Sequence, residues 1–221
     1  MATLGEYIPN SNTKLLLHLN GNSTDSSGNE NNGTDINVTY PNGRLGKCAS
    51  FSGNGSINVG NDISFTGNFT LAVCYKGTAT GSGAFITKEL GGVNWPQFSF
   101  ILSTIYPQLK VCSANSGASL VSVTSSVAVN DDKWHSIIAT RDGSYIRIYI
   151  DGTLTGSTAW TSAQWASTDV VVIGASKYSY SPGYVGNITG LVEEVMAENI
   201  AWALPQIAKY HANLLGRYAT L

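Results

Sequence analysis

The chain has 221 residues, of which 24 are glycine and only 12% are charged, and its formal net charge is −2 at pH 7. Soluble domains usually carry about 25% charged residues, and this composition does not favour a helix-rich fold. The basic residues are scattered, which removes the electrostatic basis for binding nucleic acid or anionic membranes. No apolar run approaches the ~20 residues that span a bilayer. We expect one soluble domain with neither nucleic acid nor membrane as a partner.

The first residues, Met1 to Thr13, lack the positive region and the apolar region of a secretory signal. Synthesis in a cytoplasm is therefore expected, and the Asn-x-Ser/Thr sequons are not predicted to be glycosylated. The cysteines Cys48, Cys74 and Cys112 each lie within an apolar or alternating run, where a free cysteine behaves as a small apolar residue. All three are predicted to be reduced core residues.

In chain order, most segments with a readable period alternate apolar and polar residues, and short clusters of Gly, Asn, Asp or Ser separate them. This period of two is typical of strands, in which successive side chains point to opposite faces. The predicted strands are enough for two sheets. They are Lys14 to Leu19, Ala49 to Ser52, Ser56 to Val59, Phe69 to Lys76, Ala84 to Glu89, Phe98 to Leu102, Leu109 to Ala114, Leu120 to Val127, Trp134 to Arg141, Tyr145 to Asp151, Val170 to Ile173 and Gly186 to Ala197.

Two short turns are predicted where Asp-Gly pairs follow β-rich runs. Asp142-Gly143 separates two such runs and is expected to supply the positive φ angles of a tight hairpin. Asp151-Gly152 predicts a second tight turn. The strand that contains Phe69 is expected to bury one alternate set of side chains and half-cover the other.

Only the C-terminal part departs from the period of two. Leu204, Ile207, His211 and Leu214 lie roughly on one face of a helix predicted over 204–215, with Pro205 at its first position and Gly216 as its cap. We expect this helix to lie against the sandwich. The domain boundaries predicted are a polar N-terminal arm at 1–13, a sandwich at 14–203 and the helical segment at 204–221.

Several short motifs resemble, in order along the chain, those of the laminin-G-like branch of the concanavalin A-like jelly rolls. They cover about residue 14 to the end of the chain. The motifs are Leu15 to Asn29, Phe51-Ser52-Gly53, Phe69-Thr70-Leu71, Asp132 to His135, Tyr149 to Gly152, Ile173-Gly174 and Gly190 to Val195. The run Asn20 to Thr34 is also similar to domains of bacteriophage virion proteins and bacterial surface proteins.

The resemblance implies an all-β fold, a two-sheet antiparallel jelly-roll sandwich with the short C-terminal helix. Such domains have a concave face and a rim of loops, and they are often non-catalytic and bind carbohydrate or protein. Fold alone does not determine function.

Glycoside hydrolysis is the enzymatic alternative, since related jelly rolls hydrolyse glycosidic bonds with paired carboxylates. The resemblance implies a Glu-x-Asp-x-x-Glu strand, but the nearest string, Glu193 to Glu198, has Val195 at the Asp position. Glu193 and Glu198 are five positions apart and would point to opposite faces of a regular strand. No Gly-x-Ser-x-Gly elbow and no zinc-ligand spacing is present. A non-enzymatic protein is therefore predicted, with a glycosidase as a lesser alternative.

A structural Ca²⁺ is the one cofactor that the resemblance implies. Related domains hold calcium between the loop after the first strand and an acidic pair late in the chain, which corresponds to Asp25 with Glu193 or Glu194. The loop is dense in oxygen atoms, which hard cations prefer. The alternative is an Asx turn in which Asp25 binds its own backbone, and both interpretations remain open.

Sugar binding needs aromatic faces for the C–H surface of a pyranose and polar groups for its hydroxyls. Two stretches offer both: a loop of small polar residues that pairs Trp160 with Trp165, and the segment Tyr178 to Tyr184. Trp95, beside Pro96 and Gln97, is a third candidate. The alternative for each is packing at an end of the sandwich or contact with a protein partner. The candidate sugar-binding residues are Trp95, Trp160, Trp165, Tyr178, Tyr180 and Tyr184.

These observations favour a non-catalytic jelly-roll module on the surface of a bacteriophage particle, as a decoration, fibre or adhesion protein. Its expected partners are capsid or tail proteins, with host-surface glycans as ligands. A decoration protein is expected to form oligomers, whereas a glycan-binding module is expected to be monomeric. The alternative is an extracellular or cell-surface lectin-like module.

Overall fold

The structure is a computed structural model that describes residues 7–44, 46–89, 96–114, 120–176 and 186–216. These residues form thirteen strands and one helix. Their bounds are β1 Thr13–Leu17, β2 Thr34–Thr39, β3 Ala49–Asn58, β4 Phe69–Lys76, β5 Gly83–Glu89, β6 Pro96–Ser103, β7 Tyr106–Cys112, β8 Leu120–Thr124, β9 His135–Arg141, β10 Tyr145–Ile150, β11 Thr153–Ala159, β12 Val171–Ile173, β13 Thr189–Glu198 and α1 Leu204–Gly216.

The strands form two antiparallel layers, as the sequence predicts. The first layer has the order β11-β10-β9-β4-β13, with β1 paired to the C-terminal part of β13. The second has the order β3-β12-β5-β6-β7-β8, with β2 on the other edge of β3. Strand β3 pairs with β13 through 49–52 and with β12 through 57–58, so the hydrogen-bond ladder continues from one layer into the other.

Alternation along the strands places the core between the layers. In β4, Phe69 and Val73 belong to this core, whereas Cys74 lies on the outer face of the first layer. In β6, Phe98 and Phe100 face the core, which leaves the intervening side chains to face outward. The core of a jelly-roll sandwich is therefore built as the period of two predicts.

Helix α1 covers the outer face of the first layer. Its buried side chains Ile207, Tyr210 and Leu214 pack with Trp202 in a second apolar cluster, together with strand residues such as Met196. The prediction for the apolar helix face is corrected at one position. Leu204 is 62% exposed, because the buried face is centred on Ile207, Tyr210 and Leu214, about 90° around the helix from Leu204.

Both predicted Asp-Gly turns join neighbouring strands. Asp151 and Gly152 have φ angles of 52° and 80°, and form a two-residue turn between β10 and β11. At the other turn only Gly143 has a positive φ, 87°. The Asp142 carboxylate accepts hydrogen bonds from the backbone N–H groups of Ser144 and Tyr145, at 2.9 and 2.8 Å, within a loop at 142–144 that has the predicted bounds.

Strands β2 and β11 are absent from the predicted set, and β3 joins two predicted strands. Both missed strands are largely exposed and carry few apolar residues, so neither has a clear hydrophobic alternation. Strand β11 lies beside β8, where Thr158 Oγ1 donates to the Ser122 carbonyl at 3.1 Å. The strands at the two ends of the hydrogen-bonded strand order, β11 and β8, therefore lie side by side.

The three cysteines are free and buried, as predicted. Burial raises the pKa of Cys48 to about 11 and that of Cys74 to about 12. Among the described residues, no helix has the length and hydropathy needed to cross a membrane.

Candidate functional site

A groove lies on the outer face of the second layer, on the opposite side of the sandwich from helix α1. We call it the sheet groove. Its volume is about 460 Å³, within the range of small-ligand sites. Ser99, Ile101 and Ser103 of β6 form part of its floor, because they alternate with the core residues of that strand. Lys110 of β7 and Glu89 of β5 lie beside them.

Glu89 and Lys110 are the charged side chains among the described residues that line the sheet groove, and their charges oppose each other. Burial raises the pKa of Glu89, while hydrogen bonds to Ser99 and Ser176 and the charge of Lys110 act in the other direction. The groove therefore has a carboxyl group, an ammonium group and several hydroxyls within one concave surface. These groups can exchange hydrogen bonds with the hydroxyls of a polar ligand.

Four predicted sugar-binding residues, Trp95, Tyr178, Tyr180 and Tyr184, lie outside the described residues. The described residues next to them in sequence do line the sheet groove. Pro96 follows Trp95, and Ser176 and Gly186 are the described neighbours of 177–185. The role of these four aromatic residues remains a prediction.

The structure corrects the prediction for Trp160. This side chain is 5% exposed and belongs to the core between the layers. The Arg141 guanidinium lies 4.6 Å from its ring centroid. A ring packed in this way does not present a face on which a sugar could stack.

Trp165 is half-buried and lies next to the sheet groove. Its indole N–H donates to the carbonyl of Pro96 at 3.4 Å, and its own carbonyl accepts from Gln97 Nε2 at 2.8 Å. Trp165 and Trp160 therefore do not act together as the paired patch that the sequence predicts. Sugar contact by Trp165 remains a prediction.

Asp25 forms an Asx turn, which is the predicted alternative to a metal site. Its Oδ1 accepts from the backbone N–H groups of Leu16 and Ser27, at 3.0 and 2.9 Å. Its Oδ2 accepts from the Ser27 hydroxyl at 2.8 Å and from the Asn31 N–H at 2.9 Å. Oδ1 thus holds the loop to β1, and Oδ2 holds the loop together.

Glu193 and Glu194 lie away from Asp25, because β1 separates the loop of Asp25 from β13. Glu194 Oε1 lies 2.8 Å from His18 Nδ1, and Glu193 Oε1 accepts from the backbone N–H of Arg44 at 2.5 Å. The backbones on the two sides are thus two strand spacings, about 10 Å, apart. The described part of the chain contains no group of three or more His, Cys, Asp or Glu side chains placed to hold a metal ion. Calcium binding stays a prediction, and these three residues do not share one site.

The carboxylates of β13 also differ from the predicted arrangement. A bulge between Glu193 and Met196 shifts the alternation, so Glu193 and Glu198 share the outer face, whereas the sequence predicts opposite faces. Both side chains are buried, and about four residue steps of ~3.3 Å separate their Cα atoms by about 13 Å. Glu193 accepts from the Arg44 N–H, and Glu198 accepts from the Tyr7 hydroxyl and the Trp202 indole N–H. Glycosidases place two carboxylates about 5 to 9.5 Å apart on either side of a bound sugar, and this buried, internally bonded pair does not have that arrangement.

The charged and hydroxyl residues of the sheet groove were not identified from the sequence. The available signal was the alternation of Ser99, Ile101 and Ser103 with large apolar residues in β6. That pattern identifies an outward face but does not show that the face is concave.

Solved structures of similar fold include several binding domains. The binding domain of Paraclostridial mosquitocidal protein 1 has a TM-score of 0.73 at 13% identity, over 90% of this chain and 52% of that chain. The ligand-binding domain of botulinum neurotoxin serotype D, solved with N-acetylneuraminic acid, has a TM-score of 0.66 at 14% identity, over 91% and 50%. The present chain thus spans about half the length of these toxin domains.

A third similar structure matches over nearly its whole length. Domain 4 of AbnA, a GH43 extracellular arabinanase from Geobacillus stearothermophilus, was solved with arabinotriose. Its TM-score is 0.63 at 14% identity, over 90% of this chain and 98% of that chain. Identities this low show a shared fold.

No curated protein sequence matches the chain. A sequence-family model does match, over residues 51–208, which include most of both layers and the start of α1. The two-layer antiparallel architecture and this match agree with the resemblance seen in the sequence motifs. The chain belongs to the concanavalin A-like lectin/glucanases superfamily.

Proposed function

We propose that this protein is a non-catalytic carbohydrate-binding module and that the sheet groove holds the glycan. The observation that carries this proposal is the sheet groove itself. It has a volume of about 460 Å³, it is lined by hydroxyl, carboxyl and ammonium side chains, and it lies on a lectin-type fold. A polyhydroxylated ligand supplies both donors and acceptors for such groups. The solved neighbours include binding domains and a domain solved with arabinotriose, which supports the same class of function.

The charge balance of the sheet groove favours an uncharged oligosaccharide. A carboxylate on the ligand would lie close to Glu89, which is half-buried and whose charged form burial already disfavours. The carboxyl oxygens of Glu89 and the ammonium of Lys110 can instead bind ligand hydroxyls. The groove has one carboxyl group among its described lining residues, whereas glycosidic hydrolysis uses two.

A glycan array followed by calorimetric titration tests the proposal. We expect saturable binding of a neutral oligosaccharide, and Lys110→Met should weaken it about tenfold by removing a charge-assisted hydrogen bond. Lys133→Met, an exposed change outside the sheet groove, serves as the matched control. An array without any binding, or hydrolysis of the bound glycan, would refute the proposal.

The aromatic residues predicted from the sequence to bind sugar provide a second test of this proposal. If Trp95, Tyr178, Tyr180 or Tyr184 stacks on the ligand, its replacement by Ala should weaken binding by about 1–3 kcal/mol without lowering the melting temperature. Trp165→Ala is included because Trp165 lies beside the groove. Unchanged affinity in all five variants would remove aromatic stacking from the mechanism.

We propose a virion surface as the setting of this module, with capsid or tail proteins as partners. The low charge and the Asn- and Thr-rich composition support an exposed particle component. Mass spectrometry of particles purified from the source should find the chain in stoichiometric amount. If it is absent from particles and present on cells or in the medium, the alternative of an extracellular lectin-like module replaces this one.

A further inference from the structure

A second cleft lies on the other side of the molecule, between residues 7–10 and helix α1. We call it the helix cleft. Its volume is about 370 Å³, also in the range of small-ligand sites. It is separated from the sheet groove by both layers of the sandwich, since α1 covers the first layer and the groove lies on the second. Any ligand of the helix cleft therefore binds independently of the proposed glycan site.

Three aromatic residues in mutual contact form the floor of the helix cleft. The ring centroids of Tyr7 and Trp202 are 5.6 Å apart, and those of Trp202 and Tyr210 are 5.3 Å apart. Trp202 and Tyr210 are mostly buried, at 5% and 4% exposure, and support Tyr7, which is half-buried and provides the exposed part of the floor. It offers an apolar surface for one ring of a ligand.

The floor is fixed in place from below by the buried carboxylate of Glu198. This group accepts hydrogen bonds from the Tyr7 hydroxyl at 2.6 Å and the Trp202 indole N–H at 2.7 Å. The Tyr210 hydroxyl donates to the Glu194 carbonyl at 3.3 Å. Because all three polar ends bind inside the protein, the aromatic residues present carbon atoms to the cleft. A surface held in this way loses little conformational freedom when a ligand binds.

The rim of the helix cleft carries hydrogen-bond donors. Gln206, Lys209 and Asn213 follow each other at spacings of three and four along α1, which places them on the same side of the helix, and all three are exposed. Gln206 Oε1 accepts from the Ala203 N–H at 2.9 Å, and its amide NH₂ remains as a donor. Lys209 is the charged side chain among the described lining residues. A ligand that fits this rim supplies acceptors and a negative charge.

We propose that the helix cleft binds an acidic sugar, a pyranose that carries a carboxylate. Its ring carbons would lie on the aromatic floor, its hydroxyls would bind the amides of Gln206 and Asn213, and its carboxylate would pair with Lys209. The two sites thus differ in charge. The sheet groove has a carboxyl group among its lining residues, which disfavours an anion, and the described lining of the helix cleft has none. The Glu198 carboxylate beneath the cleft floor is 0% exposed and already accepts four hydrogen bonds.

Titration of the purified chain with a glucuronic acid disaccharide, with the matching glucose disaccharide as the neutral probe, tests this site. We expect the acidic probe to bind about tenfold more tightly than the neutral one, because one charge-assisted hydrogen bond increases affinity by about that factor. Lys209→Gln should remove that preference. Asn213→Asp keeps the shape of the side chain and adds a repulsive charge, so it should weaken the acidic probe selectively.

Lys110→Gln in the sheet groove is the matched control, and it should leave binding of the acidic probe unchanged. Thermal melting of each variant confirms that the fold is intact, which is expected because Lys209 and Asn213 are exposed. If the acidic probe does not bind, or binds equally well to Lys209→Gln and Asn213→Asp, the helix cleft is not its site. Sensitivity to Lys110→Gln alone would place the probe in the sheet groove, which overturns this inference and leaves the proposed function standing.

Discussion

Individual buried polar residues hold the outer side of the first layer together. Glu198 is 0% exposed, and its two oxygens accept from four side chains. These donors are the Tyr7 hydroxyl, Asn10 Nδ2, the Thr13 hydroxyl and the Trp202 indole N–H. Residues far apart in sequence thus meet at one carboxylate, which joins the first described residues to the segment before α1.

Replacement of Glu198 by Gln should destabilise the protein. The amide NH₂ would replace one acceptor oxygen and face groups that also donate, which leaves buried donors without partners. We expect the free energy of unfolding to fall by about 1–3 kcal/mol, measured by urea denaturation. The exposed Glu30→Gln should change it by less than about 0.5 kcal/mol. Equal effects of the two changes would contradict this account of Glu198.

His135 makes the stability depend on pH. Its Nδ1 lies 2.7 Å from Asp151 and its Nε2 lies 2.9 Å from Asp131. The hydrogen bond to Asp151 is the main cause that raises the pKa of His135 above 6.5. The stabilisation is therefore complete below about pH 6.5 and is lost as the pH rises through the folded-state pKa. The stability difference between wild type and His135→Asn should shrink over that range.

His211 provides the matched comparison for this pH dependence. Burial is the main cause that lowers its pKa below 6.5. Its neutral form is favoured in the folded state, so its contribution is present above about pH 6.5 and is lost as the pH falls. His211→Asn should therefore change the pH profile in the opposite direction to His135→Asn. Differences that do not vary with pH in either variant would contradict both assignments.

Asp25 is expected to act through its loop and not through an ion. Asp25→Ala removes four hydrogen bonds and should lower the melting temperature, with a loss of about 1–3 kcal/mol for the buried N–H groups left without acceptors. Millimolar calcium should leave the melting temperature of both proteins unchanged. A calcium-dependent rise in wild type that Asp25→Ala abolishes would restore the metal site.

At the scale of elements, α1 is stabilised by a short buried face. Ile207 is 0% exposed, so Ile207→Ala should lower the free energy of unfolding by about 2–5 kcal/mol through lost burial and a cavity. Leu204→Ala in the same helix should change it by less than about 0.5 kcal/mol, because Leu204 is 62% exposed. Denaturant unfolding of the two variants measures both values, and similar losses would refute the observed packing of the helix.

The elements that could be predicted are those whose own residues carry the signal. Strand β4 and the hairpin of β9 and β10 have clear alternation and an Asp-Gly turn, and both are present. Strands β2 and β11 form because neighbouring strands offer free edges, which a local pattern does not show. The bulge after Glu193 likewise depends on pairing with β4, so the faces of Glu193 and Glu198 could not be derived from their spacing.

For the whole molecule, the fold could be predicted from the sequence more completely than the candidate site could. The sheet groove is lined by residues of four strands and of adjoining loops, such as Glu89 and Lys110, whose proximity no local motif encodes. Trp160 has the residue type of a sugar-binding side chain, but its strand end directs it into the core. Residue type alone therefore could not separate packing from binding.

The folded molecule is expected to protect all its thiols. Cys48, Cys74 and Cys112 are buried and free, and burial raises the pKa of each, which lowers the fraction of reactive thiolate. An aromatic disulfide reagent should label none of them in the native protein and all of them in denaturant. A reducing agent should leave the melting temperature unchanged. Rapid labelling of the native protein would contradict the burial of these side chains.

The contact of Tyr7 with Trp202 and Tyr210 brings the two ends of the described chain to the same side of the sandwich. A tether attached near either end would therefore hold the molecule by its helical side. The sheet groove would then point away from the anchoring surface. Immobilisation through a terminal tag should consequently leave an oligosaccharide free access to it, whichever terminus carries the tag.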